Sequence, residues 1–443
     1  EFRRVLFRSP LERGADAIRG AVASAREILG HYLATPDPLV DGSIARIAGT
    51  PADARAQFAV ASAVRILATR EAAFDVHRLA KQALDLGMKG VTIEHVERRI
   101  ERLAATGRLI PGQVREHDTS YRMVTTPESL ATEERILAAI DKGRDTIAPI
   151  VAPDTAPTLL QAASPHDLNA GQLAAATLIV SGTDRIAFVQ GVAGAGKSTV
   201  LEAAARTLEG EGRRLHGLAF QNKMVADMKT GAGIEAQTIA SFIWQGERHV
   251  AAPDTPAAQA RRDEMKNTVI VIDEMSMVSN DDLLKLFRVA DALGVEAIRG
   301  VGDKQQLMPI NAGKAFSVVQ AAGAPVAYMN DNLRQRTDTL KTVAELANVG
   351  KASAALRVLG DNVVEVRPGA GTDPDNTPGP AAHAADLWLA LPADERAVTA
   401  VFASGRETRG EINTRIQNGL LAEGTLKGPG LDVTVHDRVS MTP

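Results

Sequence analysis

The sequence predicts an α/β protein in which a mostly parallel β-sheet is flanked by helices. From residue 166 onward, short apolar runs alternate with helical segments, as in βαβ units. The apolar runs show no polar alternation, which is typical of strands buried on both faces of a sheet. Residues 11–142 are instead Ala-rich with a helical period, so a second, mainly helical region precedes the sheet.

Five apolar runs are predicted to form the strands of this sheet. They read RIAFVQG, RLHGLAF, TVIVIDE, VEAIRGVGD and APVAYMN in chain order. Two polar, Pro-containing stretches, residues 251–263 and 368–380, are predicted to be surface insertions.

The N-terminal region contains one strongly patterned helix. Val96, Ile100 and Leu103 fall on one face, Thr92 is placed to cap the start, and Gly107 is placed to end the helix. A small hairpin is predicted between GRLI and YRMVTT. A winged-helix-like unit and a plain helical bundle both fit this order of elements.

Composition excludes several classes of protein. No apolar run reaches the roughly 18 residues that a membrane-spanning helix needs. The 443 residues include no Cys, which excludes disulfides and thiolate metal sites and makes the cytoplasm the default location. The net charge of −4 does not suit a protein that binds nucleic acid over its whole surface. Any nucleic-acid site is therefore expected to be a local channel.

A phosphate-binding loop is predicted after the first strand. The segment GVAGAGKS fills the pattern G-x-x-x-x-G-K-[ST] between an apolar run and a helical segment. Glycines let backbone N–H groups turn toward a phosphate, the lysine reaches the outer phosphates, and the serine can bind Mg²⁺. A chance glycine-rich loop is the alternative. The residues expected to bind ATP here are Gly191, Gly194, Ala195, Gly196, Lys197, Ser198 and Thr199.

Two carboxylates follow the apolar run TVIVI. Asp273 and Glu274 are predicted at the C-terminal end of a buried strand, where ligands of open α/β sheets bind. Asp273 is expected to hold Mg²⁺ together with Ser198, and Glu274 to orient or deprotonate the attacking water. A solvated strand end is the alternative.

The polar cluster in GVGDKQQLMPI ends another apolar run. If this run is the neighbouring strand, Asp303 and Gln306 lie beside Asp273 and Glu274. An amide there can bond the γ-phosphate or the attacking water and report its loss, which makes Gln306 a candidate phosphate sensor. An ordinary turn explains the Gly and Asp but not the glutamines.

The motifs and their order along the chain resemble those of superfamily 1B DNA helicases of the RecD type. The segments LNAGQ, GVAGAGKST, QTIASF, VIDEMSMV, GDKQQLMPINAGKAF and NDNLRQ carry the resemblance, which is strongest to the helicase part of conjugative relaxases (TraI- or TraA-like, MobF type). The resemblance covers roughly residues 165–425. It implies a RecA-like P-loop NTPase fold and ATP-dependent 5′→3′ movement on single-stranded DNA with Mg²⁺. It also points to relaxosome or transfer-apparatus proteins as partners.

The resemblance implies roles for further residues. Gln172 matches the glutamine that reads the adenine edge, and Gln306 matches the γ-phosphate sensor. Arg334 matches the arginine that reaches across from the second motor domain to the transferring phosphoryl group. Many relatives carry His where this chain has Ala240. The residues expected to contact DNA are Gln221, Asn222, Thr238, Ser241 and Phe242, and the nearest candidates for stacking on bases are Phe220, Phe242 and Trp244.

The expected domain organisation follows from these patterns. Its segments are a cloning or sequencing scar (1–10), the helical domain (11–142), a Pro-rich linker (143–165), a first RecA-like domain with the ATP site (166–330), and the truncated start of a second RecA-like domain (331–443). The chain is expected to be a fragment of a longer protein. Two other functions stay open: a P-loop ATPase that acts as a loader or switch without unwinding, and a non-catalytic DNA-binding segment.

Overall fold

The computed structural model describes residues 37–41, 50–116, 119–306, 312–366 and 379–426, so the scar expected at 1–10 lies outside the described residues. The chain divides into two compact units, Glu1–Arg336 and Thr337–Pro443. None of the helices in these ranges combines the length and apolar character required to cross a membrane.

Among its described residues, the first unit starts with a winged-helix arrangement of a helix, a strand, two helices and a hairpin. The three strands form an antiparallel sheet in the order β1-β3-β2. The predicted helix is confirmed, with Val96, Ile100 and Leu103 buried, and the predicted hairpin is formed. The elements of this region are α1 (Pro51–Ala68), β1 (Ala73–Asp75), α2 (Val76–Leu84), α3 (Ile93–Ala105), β2 (Ile110–Glu116), β3 (Thr119–Thr125) and α4 (Pro127–Lys142).

A six-stranded parallel sheet follows, in the order β6-β5-β7-β8-β4-β9. The five predicted strands are confirmed as β4, β5, β7, β8 and β9. The elements are α5 (Ala156–Ala163), α6 (Ala170–Ser181), β4 (Ile186–Gly191), α7 (Lys197–Gly210), β5 (Arg214–Ala219), α8 (Asn222–Gly231), β6 (Ala236–Thr238), α9 (Ile239–Ala251), α10 (Pro256–Met265), β7 (Thr268–Ile272), α11 (Asn280–Ala292), β8 (Ala297–Gly302), α12 (Ala315–Ala321) and β9 (Val326–Met329).

Helices cover both faces of this sheet, as the unbroken apolar strands predict. Val269 and Val271 of β7 pack on the side of α5, α6 and α7, whereas Ile270 and Ile272 pack on the side of α4, α9 and α11. Alternate strand residues point to opposite faces, so both faces of β7 are core. The α/β fold class is that of a RecA-like P-loop protein.

The segment predicted as a Pro-rich linker contributes to the core. It contains α5, and Val151, Ala156 and Leu160 are buried against α6 and α7. The last helix of the N-terminal region, α4, also packs on the sheet through Ile136 and Ile140. Apolar side chains within both segments explain this packing, since their burial outweighs the turn-forming tendency of the prolines.

The described residues of the second unit, 337–366 and 379–426, contain helices and no strand. Residues 397–404, an apolar run within the expected second RecA-like domain, end α16 and continue without a strand, with Val398 and Phe402 86% and 93% exposed. A strand needs neighbours to satisfy its backbone, and none is formed within these residues. The elements are α13 (Asp338–Asn348), α14 (Ala352–Leu359), α15 (Pro380–Leu389), α16 (Ala393–Val398) and α17 (Arg406–Ala422).

Candidate nucleotide and DNA site

The parallel sheet brings the predicted motifs to one edge. Strand β8 lies between β4, which leads into the glycine-rich loop, and β7, which leads into Asp273. Because parallel strands end on the same side, the loop after β4, the carboxylates after β7 and the polar cluster after β8 all follow strand ends at this edge. The run that ends in the polar cluster forms β8 and pairs with β7, so the condition on which the sensor hypothesis depended is met.

The glycine-rich loop adopts a backbone that L-side chains avoid. Gly194 and Gly196 both have φ of +81°, and Gly196 is the N-cap of α7. A Cβ on Gly196 would lie 2.3 Å from Gln172 Nε2, and a Cβ on Gly194 would lie 2.5 Å from Arg334 Cβ. Glycine is therefore required for conformation and for space at both positions. The loop precedes the α7 N-terminus, where N–H groups favour an anion.

Lys197 and Glu274 form an ion pair across this edge. Lys197 Nζ donates to Glu274 Oε1 at 3.0 Å and lies 3.5 Å from Gly191 O. Their side chains are 13% and 21% exposed, so water screens the pair less than a surface pair. Glu274 itself has φ and ψ of 48°, a left-handed conformation that is uncommon outside glycine and that clusters at functional sites.

Asp273 lies deeper in the same site. Burial raises the pKa of its carboxyl, the neighbouring Glu274 carboxylate raises it further, and Lys197 opposes the rise. Such a carboxylate gains stability from an added cation. The described residues contain no cluster of three His, Asp, Glu or Cys side chains that could hold a metal on its own. The donors present, Asp273 and the exposed Ser198 hydroxyl, instead fit Mg²⁺, which takes few protein ligands and completes its shell with water and phosphate.

Close backbone packing explains the glycines of GVGD. A Cβ on Gly300 would lie 2.1 Å from Met275 Sδ, and one on Gly302 would lie 3.1 Å from the N atoms of Met275 and Ser276. The 3₁₀ turn Met275–Met277, which directly follows Glu274, thus packs on β8. These glycines allow the segment that follows the two carboxylates after β7 to pack closely on β8.

The polar cluster is organised around buried Asp303. Asp303 Oδ1 accepts from Gln190 Nε2 at 2.8 Å, and Asp303 Oδ2 accepts from Gln306 Nε2 at 3.2 Å. Gln190 Oε1 accepts from Lys304 N at 3.2 Å and from Gln320 Nε2 at 3.0 Å. Gln190, which the motif analysis missed, therefore ties the strand before the glycine-rich loop to the candidate sensor. Its signal in the sequence is a lone amide at the end of the otherwise apolar β4.

Gln172 and Arg334 are placed differently from the expectation. Gln172 is 4% exposed, and its Oε1 accepts from Asn169 N while its Nε2 donates to Ala195 O. Both ends of this amide are thus used inside the protein, where they support the glycine-rich loop. Arg334 belongs to the first unit, and Leu333 N donates to Gly194 O at 3.0 Å. Exposed Arg334 therefore stands beside the loop within its own unit rather than reaching over from the second.

The predicted DNA-contacting residues lie at or after the ends of β5 and β6, the two strands furthest from β4 and β9 in the sheet. Gln221 and Asn222, both exposed, begin α8 after β5. Thr238 caps α9, and its hydroxyl accepts from Ser241 N at 3.2 Å. Phe242 was expected to contact DNA, and this expectation is wrong. Phe242 is 1% exposed because it occupies the apolar face of α9.

A separate cleft of about 630 Å³ lies between the winged-helix region and α11. Two of its three cationic groups are already engaged, since Arg65 pairs with Asp37 and Arg108 donates to Pro38 O, and exposed Lys285 is the third. The concentration of phosphate-binding and carboxylate groups makes the strand edge, and not this cleft, the candidate active site.

A family model matches the part of the chain that contains this candidate site. Residues 167–364 match the family model described as AAA domain. The chain is 29% identical over 298 residues to the multifunctional conjugation protein TraI of Escherichia coli K12, covering 66% of this chain and 16% of TraI. It is 34% identical over 198 residues to the conjugal transfer protein TraA of Agrobacterium fabrum, covering 43% of this chain and 17% of TraA.

The predicted resemblance to TraI- and TraA-like conjugation proteins is confirmed by these matches. The chain spans about a sixth of the length of these relatives, 16% and 17%. Among solved structures, Pif1 helicase from Candida albicans is 20% identical with a TM-score of 0.36, covering 60% of this chain and 56% of that chain. Bacteroides Pif1 bound to ssDNA is 18% identical with a TM-score of 0.32, covering 46% and 52%.

Proposed function

We propose that this chain is the ATP-binding part of an ATP-dependent 5′→3′ DNA helicase or translocase of the RecD type, acting in the cytoplasm in conjugative DNA transfer. The observation that carries the proposal is the hydrogen-bonded bridge from Gln190 through Asp303 to Gln306. This bridge connects the strand before the phosphate loop to the candidate sensor, as a motor that converts phosphate state into movement requires. The 5′→3′ direction rests on the resemblance to superfamily 1B motifs.

Each residue of the site has a separate role in hydrolysis under this proposal. Bound Mg²⁺ would neutralise charge on the phosphates, and Ser198 and Asp273 would hold it. Lys197 exchanges its bond with Glu274 for a phosphate oxygen of ATP. This exchange releases the Glu274 carboxylate to orient and deprotonate water. Arg334, which lies beside Gly194, stabilises charge on the transferring phosphoryl group, the role of an arginine finger supplied in cis.

Gln306 reports the phosphate state by changing its partner. In the structure its Nε2 donates to Asp303 Oδ2. A γ-phosphate offers a stronger, charged acceptor. Breaking and re-forming the bond to Asp303 then alters the bridge to Gln190 once per cycle.

The DNA track is proposed at the N-termini of α8 and α9, through Gln221, Asn222, Thr238 and Ser241. Binding is measured with oligonucleotides of several sequences over a range of salt concentrations. We expect affinity for single-stranded DNA to fall steeply with salt and to depend little on sequence. Tight, salt-insensitive binding to one sequence would favour the non-catalytic DNA-binding segment instead.

Direction is tested with duplexes that carry either a 5′ or a 3′ single-stranded tail. ATP-dependent strand separation of the 5′-tailed duplex alone is expected, and Glu274→Gln should abolish it. Separation of the 3′-tailed duplex would contradict the proposed direction. DNA-stimulated hydrolysis without separation of either duplex would identify a loader or switch. Relaxosome or transfer-apparatus partners are proposed from the resemblance alone.

A further inference from the structure

Trp244 lies on α9, the helix whose N-terminus is part of the proposed DNA track, and its indole ring is exposed to solvent. The side chain is 74% exposed, whereas Phe242, two residues earlier, is buried. The rotation of α9 is fixed by close packing, since a Cβ on Gly246 would lie 2.1 Å from Val289 Cγ1 of α11. Ile239, Ile243 and Phe242 therefore face the core and Trp244 faces outward.

Two groups suited to nucleic acid share the face of Trp244. Ser241 and Arg248 lie three residues before and four residues after it, spacings that place all three side chains on one side of a helix. Arg248 Nε donates to His249 Nε2 at 3.2 Å. Burial and the Arg248 charge lower the pKa of His249, which favours the neutral imidazole that can accept this bond.

The charge on this face is positive. Arg248 has no ion-pair partner within the part of the chain that the structure describes. The nearest acid in sequence, Glu247, is paired with Arg288 at 3.2 Å. A negatively charged ligand would therefore meet an uncompensated guanidinium next to an exposed aromatic ring.

The same face starts at the edge of the sheet that carries the ATP site. Thr238, the last residue of β6, caps the start of α9; β6 is parallel to β5, which is in turn parallel to β7. Ser241 Oγ accepts from Gln245 Nε2 at 3.0 Å and donates to Gln237 Oε1 at 3.4 Å. These bonds fix the start of α9 to the strand that precedes it.

We infer that the Ser241–Trp244–Arg248 face is a stacking platform for single-stranded DNA, on which Trp244 stacks one base and Arg248 neutralises an adjacent phosphate. The inference rests on the proposed function and identifies the residues that would hold the strand. An unpaired strand is the occupant because its bases expose their faces to aromatic side chains, whereas duplex bases are stacked on one another.

The test uses the fluorescence of Trp244 in the full chain with Trp388→Phe, so that Trp244 is the sole tryptophan. Oligothymidylate at low salt should quench this fluorescence to saturation. Trp244→Ala, followed with a labelled oligonucleotide, should weaken binding roughly 5- to 150-fold, as expected for the loss of one stacked base. Trp244→Phe keeps an aromatic ring and should retain most of the affinity.

Arg248→Gln provides a second measurement, the salt dependence of DNA affinity. A side chain with a purely structural role would leave this dependence unchanged. The slope of log affinity against log salt should decrease by about 0.7, which corresponds to one phosphate contact on a single strand. Leu159→Ala, which removes another half-exposed apolar side chain, serves as the matched control and should change neither quantity.

The outcomes separate this inference from the proposed function. If wild type binds oligothymidylate but Trp244→Ala binds equally well, the platform is wrong and the proposed DNA track through Ser241 and its neighbours still stands. If Trp244→Phe is as weak as Trp244→Ala, stacking is not the source of affinity. If wild type binds no single-stranded DNA, the proposed function fails and the platform fails with it.

Discussion

Lys197→Ala tests how the ATP site is built. The substitution removes the ammonium that donates to Glu274 Oε1 at 3.0 Å and that is proposed to reach the outer phosphates. A hydrogen bond to a charged group contributes ~1.5–3 kcal/mol, so affinity for a non-hydrolysable ATP analogue should fall roughly 10- to 150-fold.

Because of the neighbouring carboxylates, we expect the loss of analogue affinity to lie near the upper end of this range. Without Lys197, Glu274 and half-buried Asp273 have lost the cation that lowers the pKa of Asp273. Their negative charge then repels the phosphates in a site that water screens weakly. Removing one carboxylate should relieve this repulsion. The double variant Lys197→Ala/Glu274→Gln should therefore bind the analogue more tightly than Lys197→Ala alone.

Isothermal titration calorimetry with Mg²⁺ and the analogue measures all three affinities. Lys266→Ala, which changes an exposed lysine at the end of α10, is the matched control and should bind as wild type does. If the wild type does not bind the analogue at millimolar concentration, the ATP site is refuted. A Lys197→Ala affinity within about twofold of wild type would refute the role of Lys197, since each tenfold change corresponds to ~1.4 kcal/mol.

Three further predictions follow from single side chains. Gln306→Ala should leave analogue affinity nearly unchanged in calorimetry but lower DNA-stimulated hydrolysis, mainly through kcat; unchanged hydrolysis would make Gln306 a turn residue. Burial, with Arg214 next in effect, lowers the pKa of His216 from 6.5 to about 4. The unfolded chain therefore binds a proton that the folded chain does not between these values, so lowering the pH from neutral to about 5 should remove ~2 kcal/mol of stability in urea unfolding, and His216→Gln should flatten this dependence. Arg299 is 1% exposed and donates to the carbonyls of Ile179 and Asp184, so Arg299→Met should lower the free energy of unfolding by ~3–5 kcal/mol, and a loss below about 1 kcal/mol would show that these bonds contribute little.

Much of the fold was predictable because the strands are continuous apolar runs. Such runs are typical of a sheet buried on both faces, and each of the five forms a strand. The edge strand β6 was missed since Ala236, Gln237 and Thr238 form a short, mostly polar run. Its place in the sheet depends on pairing with β5, which no local pattern indicates.

For Phe242, helical periodicity and the motif match predict different positions. Ile239, Phe242, Ile243 and Gly246 have the spacing of one helical face, which predicts a buried position for Phe242. The motif match placed the same residue against DNA. Helical periodicity was the better guide because the apolar face of α9 must be covered by the core.

The contacts that connect the motifs could not be predicted from the sequence. Gln190 and Asp303 are 113 positions apart, and their bond exists only because β4 and β8 are neighbours. The place of Arg334 depends likewise on the bond from Leu333 N to Gly194 O. Motif spacing predicts which residue types gather at a site, whereas distances and partners follow from the packing of distant segments.

The proposed link between the candidate ATP site and the proposed DNA track is tested most directly by one coupled titration. The Kd for oligothymidylate is measured with and without saturating Mg²⁺ and non-hydrolysable ATP analogue, in wild type and in Lys197→Ala. We predict that the analogue changes the wild-type Kd by about 5- to 150-fold, the range of a coupling free energy of ~1–3 kcal/mol, and that Lys197→Ala removes most of this change. An identical Kd with and without bound analogue in wild type would contradict the account, because the two sites would then be independent.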